Sequence, residues 1–431
     1  MSELPESWLV ATLEDVGVIT TGGTPSKKEN PLYFGGNYPF VKPGDLNSNI
    51  PITSSVEYLS DIGIQRARKL RSGAILVSCI GNLGRVAIAG TELATNQQIN
   101  SIEFHSKYVS DRYGYYYCKT LKSWMESEAS ATTIAILNKG RFSKAPFLLA
   151  PLNEQKRIAD KLDTLLAAVN SCRARLDKVP TLIKRFRQSV LAAAITGSLT
   201  EDWRKGAEFQ TFEIEFSELI QDSIVGLVRS AAEQYKLANE TTPYLKMNNI
   251  SENWGYSLDS LVGVQCSQVE REKFQLKKGD WLFNTRNSME LVGKSCVWQG
   301  EPAIFNNNIL RVRFKKSVLS EYVEIWFRSP LGRQRLEQVK SATTSVAAIY
   351  QRSLLAQKLS LPTLTEQFEI VRRVDALFAI ADKLETSLAT VSKRVDQLTP
   401  AILAKAFRGE LVAQDPSDEP ASSLLARLAT L

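Results

Sequence analysis

The chain has little of what most enzymes work with. Its 431 residues include one histidine, His105, and five cysteines. Cys79, Cys118, Cys172, Cys266 and Cys296 are scattered and form no C-x-x-C pair. Neither a disulfide framework nor a metal site is expected from them. No run of about eighteen apolar residues occurs, which argues against a membrane-spanning helix. The opening Met1-Ser2-Glu3-Leu4-Pro5-Glu6 lacks the basic and apolar regions of a signal peptide, so a cytoplasmic protein with no membrane partner is expected. There is no G-x-x-x-x-G-K-[ST] loop for ATP. A glycine-rich cofactor loop and an N-P-P-Y or D-P-P-Y tetrapeptide are also missing. Gly81-Asn82-Leu83-Gly84 follows a strand-like run, but it lacks the third glycine and the acidic residue of a dinucleotide site and reads as a turn. This chain is therefore expected to catalyse nothing and to bind no cofactor or metal itself.

What is present is a balance of 44% apolar and 23% charged residues, ordinary for a folded protein, with a net charge of +7 that permits a polyanionic partner. The chain also repeats itself. Leu152-Asn153-Glu154-Gln155 returns as Leu364-Thr365-Glu366-Gln367, and the two passages stay aligned without a gap as far as Gly197 and Gly409. A period of half the chain implies two large modules and two similar helical passages rather than a solenoid.

The helical passages are read from apolar residues at alternating spacings of four and three. The first seam runs Ile158, Leu162, Leu165, Val169, Cys172, Leu176, Val179, Ile183, Phe186, Val190. The second runs Ile370, Val374, Leu377, Ala381, Leu384, Leu388, Val391, Val395, Leu398, Ile402. Such heptads call for a coiled-coil partner, and the nearest is the other copy, so an antiparallel pairing of two rods is expected. Glu154-Gln155 and Glu366-Gln367 open the rods with a first-turn carboxylate, and Gly197 and Gly409 close them. Pro180 and Pro400 fall inside the rods at positions that do not correspond, and each predicts a kink or a break.

The globular segments read as α/β, with short strands bounded by turns. Four echoes link them. Pro39 to Leu46 matches Pro243 to Ile250, and Ser72 to Ser78 matches Lys278 to Asn284. Thr95-Asn96-Gln97-Gln98-Ile99 matches Phe305-Asn306-Asn307-Asn308-Ile309, and Ala131-Thr132-Thr133 matches Ala342-Thr343-Thr344. The loops between these landmarks differ, as two reading heads with different targets would. The expected organisation is a mixed α/β module over residues 1–150, a helical spacer over 151–205, a second module over 206–360, a second spacer over 361–414, and a tail over 415–431. In the tail, Asp415 to Pro420 reads as a polar linker, and Leu424 to Leu431 as a short amphipathic helix that either docks on a partner or only frays.

At this point the residues resemble a known family. Leu152-Asn153-Glu154-Gln155-Lys156-Arg157-Ile158-Ala159 and Ile183-Lys184-Arg185-Phe186-Arg187-Gln188-Ser189-Val190-Leu191 are similar to the central conserved region of type I restriction-modification specificity subunits, most like the enterobacterial type IA group. Glu366 to Val374 and Ile402 to Leu411 resemble the distal conserved region. The resemblance implies a non-catalytic subunit with two target recognition domains, each reading half of a split site in double-stranded DNA, and helices that fix the gap. It also implies two methyltransferase subunits using S-adenosylmethionine, and restriction subunits using ATP and Mg2+.

Candidate DNA contacts are the basic and amide side chains of the modules, suited to phosphates and base edges. In the first module they are Lys27, Lys28, Lys42, Arg66, Arg68, Lys69, Arg71 and Arg85. In the second they are Lys246, Arg271, Lys273, Arg286, Asn287 and Lys294. Arg286-Asn287, at a loop after a strand-like run, is the favoured base-reading pair. Two other classes compete: a scaffold whose modules bind proteins or glycans, and a hydrolase using Cys79 with His105.

Overall fold

The computed structural model describes residues 4–46, 50–130, 134–251, 255–342 and 346–430. The chain forms two compact units. One is Met1–Asp177 with Thr390–Leu431, and the other is Lys178–Ala389.

In the first unit a four-stranded antiparallel sheet runs in the order Gly17–Thr21, Ile99–Phe104, Ile75–Ser78, Val86–Ile88. Ile75–Ser78 is buried on both faces, as a run of apolar and β-branched residues in a central strand should be. Its side chains alternate between two cores. Ile75 and Val77 face a large one with Trp8, Tyr113, Phe147 and rod residues. Leu76 faces a smaller one with Val41, Ile52 and Ala87. A three-stranded sheet lies alongside, with Phe34–Val41 pairing antiparallel to Glu57–Leu59 and parallel to Ala94–Thr95.

The second unit repeats this plan. Its sheet order is Ile220–Val225, Ile309–Phe314, Trp281–Asn284, Ser295–Val297. Trp281 and Phe283 face one core and Leu282 the other. Thr242–Leu245 takes the place of Phe34–Val41 and pairs parallel to Ile304–Phe305. Gly73 and Gly279, from the second echo, both have φ +88°, which glycine adopts without strain before the central strand. The fourth echo lies largely outside the described residues, at 131–133 and 343–345.

Both rods begin with the same clamp. Gln155 Nε2 donates to the Ala150 carbonyl at 2.8 Å, and its Oε1 accepts from Ser110 N at 2.9 Å. Gln367 donates to Pro362 at 3.0 Å and accepts from Leu319 N at 2.9 Å. Both glutamines are fully buried. The preceding glutamates differ in partners. Glu154 accepts from Trp8 Nε1 at 2.9 Å and Gln414 Nε2 at 2.5 Å. Glu366 accepts from Thr200 Oγ1 and Arg204 Nη1, each at 2.7 Å. Burial dominates at Glu154 and raises its carboxyl above the ordinary value despite the two donors.

In the second unit the two helical passages run in opposite senses: Arg187 bonds Asp382 at 2.5 Å, while the later Thr200 bonds the earlier Glu366. In the first unit Arg173 bonds Asp396 of the second passage at 2.8 Å, and Arg157 bonds Asp418 of the tail at 2.7 Å. The first passage is broken as Pro180 predicts, into Leu152–Leu176 and Val179–Thr196, with the proline in the first turn, where its missing N–H leaves no gap. The second is not. Leu364–Ala406 is one helix that carries Pro400 inside it, giving up the bond to the Asp396 carbonyl.

The expected seams are followed in part. Ile158, Leu162, Val169, Ile370 and Val374 are buried, and Leu165, Leu176, Leu377 and Leu388 are half-buried. Leu384, Phe186, Val391, Leu398 and Cys172 are exposed, and Leu166 and Phe378 are buried although each stands one place outside its seam.

The tail also departs from expectation. It docks on its own chain rather than a partner. Helix Ala421–Leu428 buries Ala421, Leu424 and Leu428 in the core of the first unit. Ala421 N donates to the Ser7 carbonyl at 3.0 Å. The stretch read as a linker is anchored there through Asp418.

Candidate nucleic-acid interface

In both modules one edge of the main sheet gathers the loops. In the first, the register Thr21↔Asn100, Ser78↔Ile99 and Val77↔Val86 brings the end of Gly17–Thr21, the start of Ile99–Phe104 and the hairpin 79–85 together. In the second, Val225↔Leu310, Asn284↔Ile309 and Phe283↔Ser295 do the same for the loops beginning at 226 and 285. The third echo forms the same turn in each module. Asn96 Oδ1 accepts from Gln98 N at 3.2 Å, and Asn306 Oδ1 accepts from Asn308 N at 2.8 Å. Gly22 and Gly226 pass so close that an added Cβ would lie 2.2 Å from the Asn96 carbonyl oxygen or 2.1 Å from that of Phe305.

Lys42 and Lys246 occupy the same place at this edge, each opening a 3₁₀ turn. The Lys42 backbone N–H donates to Asp45 Oδ2 and that of Lys246 to Asn249 Oδ1, both at 2.8 Å. Their side chains differ. Lys42 pairs with Glu57 at 2.7 Å and holds that carboxyl below its ordinary value. Lys246 meets the neutral Gln234 at 3.1 Å and has no ion-pair partner among the described residues.

On the 79–85 hairpin, Arg85 reaches the Pro43 carbonyl at 3.4 Å. With the Asn82 amide oxygen turned toward it, Asn82 accepts from Arg85 Nη2 at 2.9 Å and Nε at 3.1 Å. Asn82, read in the sequence only as part of a turn, thus joins the candidates, and its signal was another Asn near an Arg beside Arg286-Asn287. Arg286 and Asn287 form a short strand paired with Ala347–Ala348. Arg286 is exposed and has no ion-pair partner among the described residues. Asn287 Oδ1 accepts from Ser288 N at 2.9 Å.

The other candidates are spread around this edge and the smaller sheet. Lys27 lies 4.5 Å over the Phe34 ring, and Lys28 is exposed. Arg66 is exposed in the last turn of helix Asp61–Ala67. Arg68 has φ +66° and bonds the Thr21 carbonyl at 2.7 Å, and Lys69 pairs with Glu92 at 2.7 Å. Arg271 and Lys273 stand exposed on the corresponding helix Gln268–Phe274. There Arg271 lines a cavity of about 200 Å³ with Thr241, Thr242 and Gln275. Arg229, not singled out in the sequence, pairs with Glu270 at 2.8 Å and, with the Ser267 cap, holds that carboxyl down to about 2.

Two candidates are used inside the fold and leave the set. Arg71 forks onto Asp111 at 2.7 and 2.9 Å and bonds the Ser72 and Phe104 carbonyls. Its charge pins a strand to a helix. Lys294 is 9% exposed, in the segment whose backbone carbonyl accepts from Asn284 N at 2.8 Å. Cys79 is buried as well, and desolvation pushes its thiol up to about 12, the wrong direction for a nucleophile.

Two copies of one fold present different side chains from the same edge. Residues 5–180 and 229–391 match the family described as Type I restriction modification DNA specificity domain, and the chain belongs to that family of non-catalytic DNA-recognition subunits. It is 29% identical over 435 residues to the type I restriction enzyme EcoKI specificity subunit of Escherichia coli K12, covering 97% of this chain and 92% of that one. It is 30% identical over 364 residues to the EcoBI specificity subunit of Escherichia coli, covering 80% and 75%. Among solved structures, the HsdS subunit from Thermoanaerobacter tengcongensis matches with a TM-score of 0.63 at 18% identity, covering 95% of this chain and 98% of that one. A chain from a study of complex assembly and conformational transition of the type I R-M system matches at 0.74 and 19% identity, covering 95% and 99%. Among the described residues no helix is long and apolar enough to cross a membrane.

Proposed function

We propose that each module reads one half of a bipartite, asymmetric site in double-stranded DNA through its loop edge, and that the helical passages set the gap between halves. The chain acts in the cytoplasm with two methyltransferase subunits and with restriction subunits. These partners supply S-adenosylmethionine-dependent adenine N6-methylation and ATP- and Mg2+-dependent cleavage. One observation carries this reading: the same edge presents Asn82 and Arg85 in one module and Arg286 and Asn287 in the other. Arginine can chelate guanine and asparagine adenine, so a shared scaffold with different amide and guanidinium placement suits two different half-sites. Joining two modest readers raises their combined affinity and makes spacing part of recognition.

The experiment is a map of methylated adenine in cells with and without the gene, and with residues 1–150 exchanged for another module. A two-part motif should appear with the gene, and the exchange should change one half only. Loss of neither half, or of both, would refute the assignment of one half-site to each module.

A further inference from the structure

The internal repeat fixes which positions of the two loop edges correspond. Ser78 and Asn284 end the central strands, and two residues further on Ile80 bridges Ile136 where Arg286 pairs with Ala348. Ser78 N donates to the Arg85 carbonyl at 2.9 Å and Asn284 N to that of Lys294 at 2.8 Å, so Arg85 and Lys294 also correspond. The two modules place their cation differently. The second exposes Arg286 and buries Lys294, whereas the first has the apolar Ile80 in the place of Arg286 and a half-buried Arg85 on the returning arm of the hairpin.

The hairpin holds Arg85 from several sides. Leu83 anchors it in the large core, and the buried Ser78 Oγ donates to the Asn82 carbonyl at 2.6 Å and accepts from Arg85 N at 3.0 Å. Asn82 Oδ1, turned toward the guanidinium, accepts from Nε at 3.1 Å and Nη2 at 2.9 Å, and the Pro43 carbonyl accepts from Nη1 at 3.4 Å. Of the five guanidinium N–H groups, these bonds leave one on Nη1 and one on Nη2. That pair, at the tip of the fork, matches the O6 and N7 acceptors of guanine in the major groove. Asn82 is left with a different capacity. Chelating adenine requires an asparagine oxygen that can accept from the N6 amino group, and both lone pairs of Asn82 Oδ1 already face Arg85. Asn287 Oδ1, by contrast, accepts one N–H among the described residues, from Ser288, and keeps its second lone pair.

We propose that Arg85 reads a guanine in the half-site of the first module, and that Asn82 is a positioning residue that aims the guanidinium and does not itself read adenine. This rests on the function proposed above and adds to it the base and the division of labour. Asn82 selects through Arg85, by occupying the side of the fork and leaving its tip for the groove.

The test starts from the methylated-adenine map, with residues 1–150 assigned to one half of the motif by module exchange. The full chain with the methyltransferase subunit of the same system is then bound to duplexes carrying each base in turn at each position of that half. Arg85→Lys keeps the charge but has no fork, and should cut the preference for guanine at one position by about tenfold or more while leaving the other half unchanged. Asn82→Ala releases the guanidinium and should do the same. Asn82→Asp keeps oxygens facing Arg85 and should retain the guanine preference, with lower affinity for all duplexes alike because of its charge. A purely structural role would weaken binding to the four bases equally and would not distinguish Asp from Ala. Should Asn82→Ala fail to fold, Arg85→Lys and Asn82→Asp decide. A guanine preference unaltered by Arg85→Lys, or one lost in Asn82→Asp, would overturn the proposal while the two-part motif stands. If cells with the gene show no two-part motif, the function reading falls and this proposal with it.

Discussion

Glu154 and Glu366 occupy equivalent positions, yet replacing each with glutamine should have different consequences. Glu154 is a buried carboxyl with no cationic hydrogen-bond partner among the described residues. Its bonds come from Trp8 Nε1 and Gln414 Nε2, and burial raises its pKa. In Glu154→Gln the amide oxygen still accepts from Trp8, and Gln414 can turn its own amide to meet the new NH2. The desolvation cost of a charge disappears, so the change should stay within about 1 kcal/mol. Because the folded-state pKa is raised, this benefit is absent below the ordinary glutamate value of about 4.5 and grows as pH rises through the folded value. Glu366 is paired with Arg204, and the side chains are only 5% and 9% exposed. Glu366→Gln leaves a buried guanidinium without its counter-charge. Breaking such a pair from one side costs about 3–5 kcal/mol, and the Gly197 and Thr200 oxygens around Arg204 place this case near the lower figure. Native-state hydrogen exchange reads the two sites separately. In Glu366→Gln, amides of Lys358–Pro362 and the start of the second rod should exchange on the order of 100-fold faster, from about 1.4 kcal/mol per decade. In Glu154→Gln, Pro146–Leu149 and the start of the first rod should change by less than about fivefold. Equal responses, or a larger one at position 154, would refute the argument from partner charge.

Arg286→Ala should relax one half of the methylation motif and weaken binding there by about 1–3 kcal/mol, whereas Arg71→Ala should lower stability without changing the motif; DNA binding to randomised half-sites separates the two. Glu369, between Arg372 and Arg373, has its pKa held down to about 2, so its contribution to stability is present above the ordinary 4.5 and is lost as pH falls through about 2. Acid unfolding should therefore lose part of its pH dependence in this window in Glu369→Gln. Leu424→Ala should destabilise the first unit by about 2–5 kcal/mol, since Leu424 is 2% exposed, and leave exchange in the second unit unchanged.

The architecture was legible where a period spans many residues. Two rods, two α/β modules and their echoes follow from spacings that survive local variation, and the turns at Asn96 and Asn306 confirm that the echoes mark one structural position. Finer features depend on geometry that spacing does not carry. The seam at Leu384 fails because what a helix position faces depends on the packed neighbours around it, and a spacing pattern does not carry them. Pro400 is tolerated because a helix of 43 residues loses one hydrogen bond among many. Among candidate contacts, Arg71 and Arg286 look alike in sequence. They are told apart by Asp111, which is distant in the chain and adjacent in the fold. The tail was recognised as amphipathic, and what it covers required the core of the first unit to be seen.

That core has a consequence for the order in which a nascent chain acquires structure. The second unit is continuous, Lys178–Ala389, and everything it needs has emerged once residue 389 leaves the ribosome. The first unit draws Leu403, Phe407, Leu424 and Leu428 into the cluster that holds Trp8 and Tyr113, so the segment translated earliest waits for segments translated more than three hundred residues later. The usual sequence of maturation along a polypeptide, amino-terminal domain first, is thereby reversed. A ribosome stalled before residue 403 would display one finished head and one unfinished one, with the aromatic lining of the latter open to chaperones.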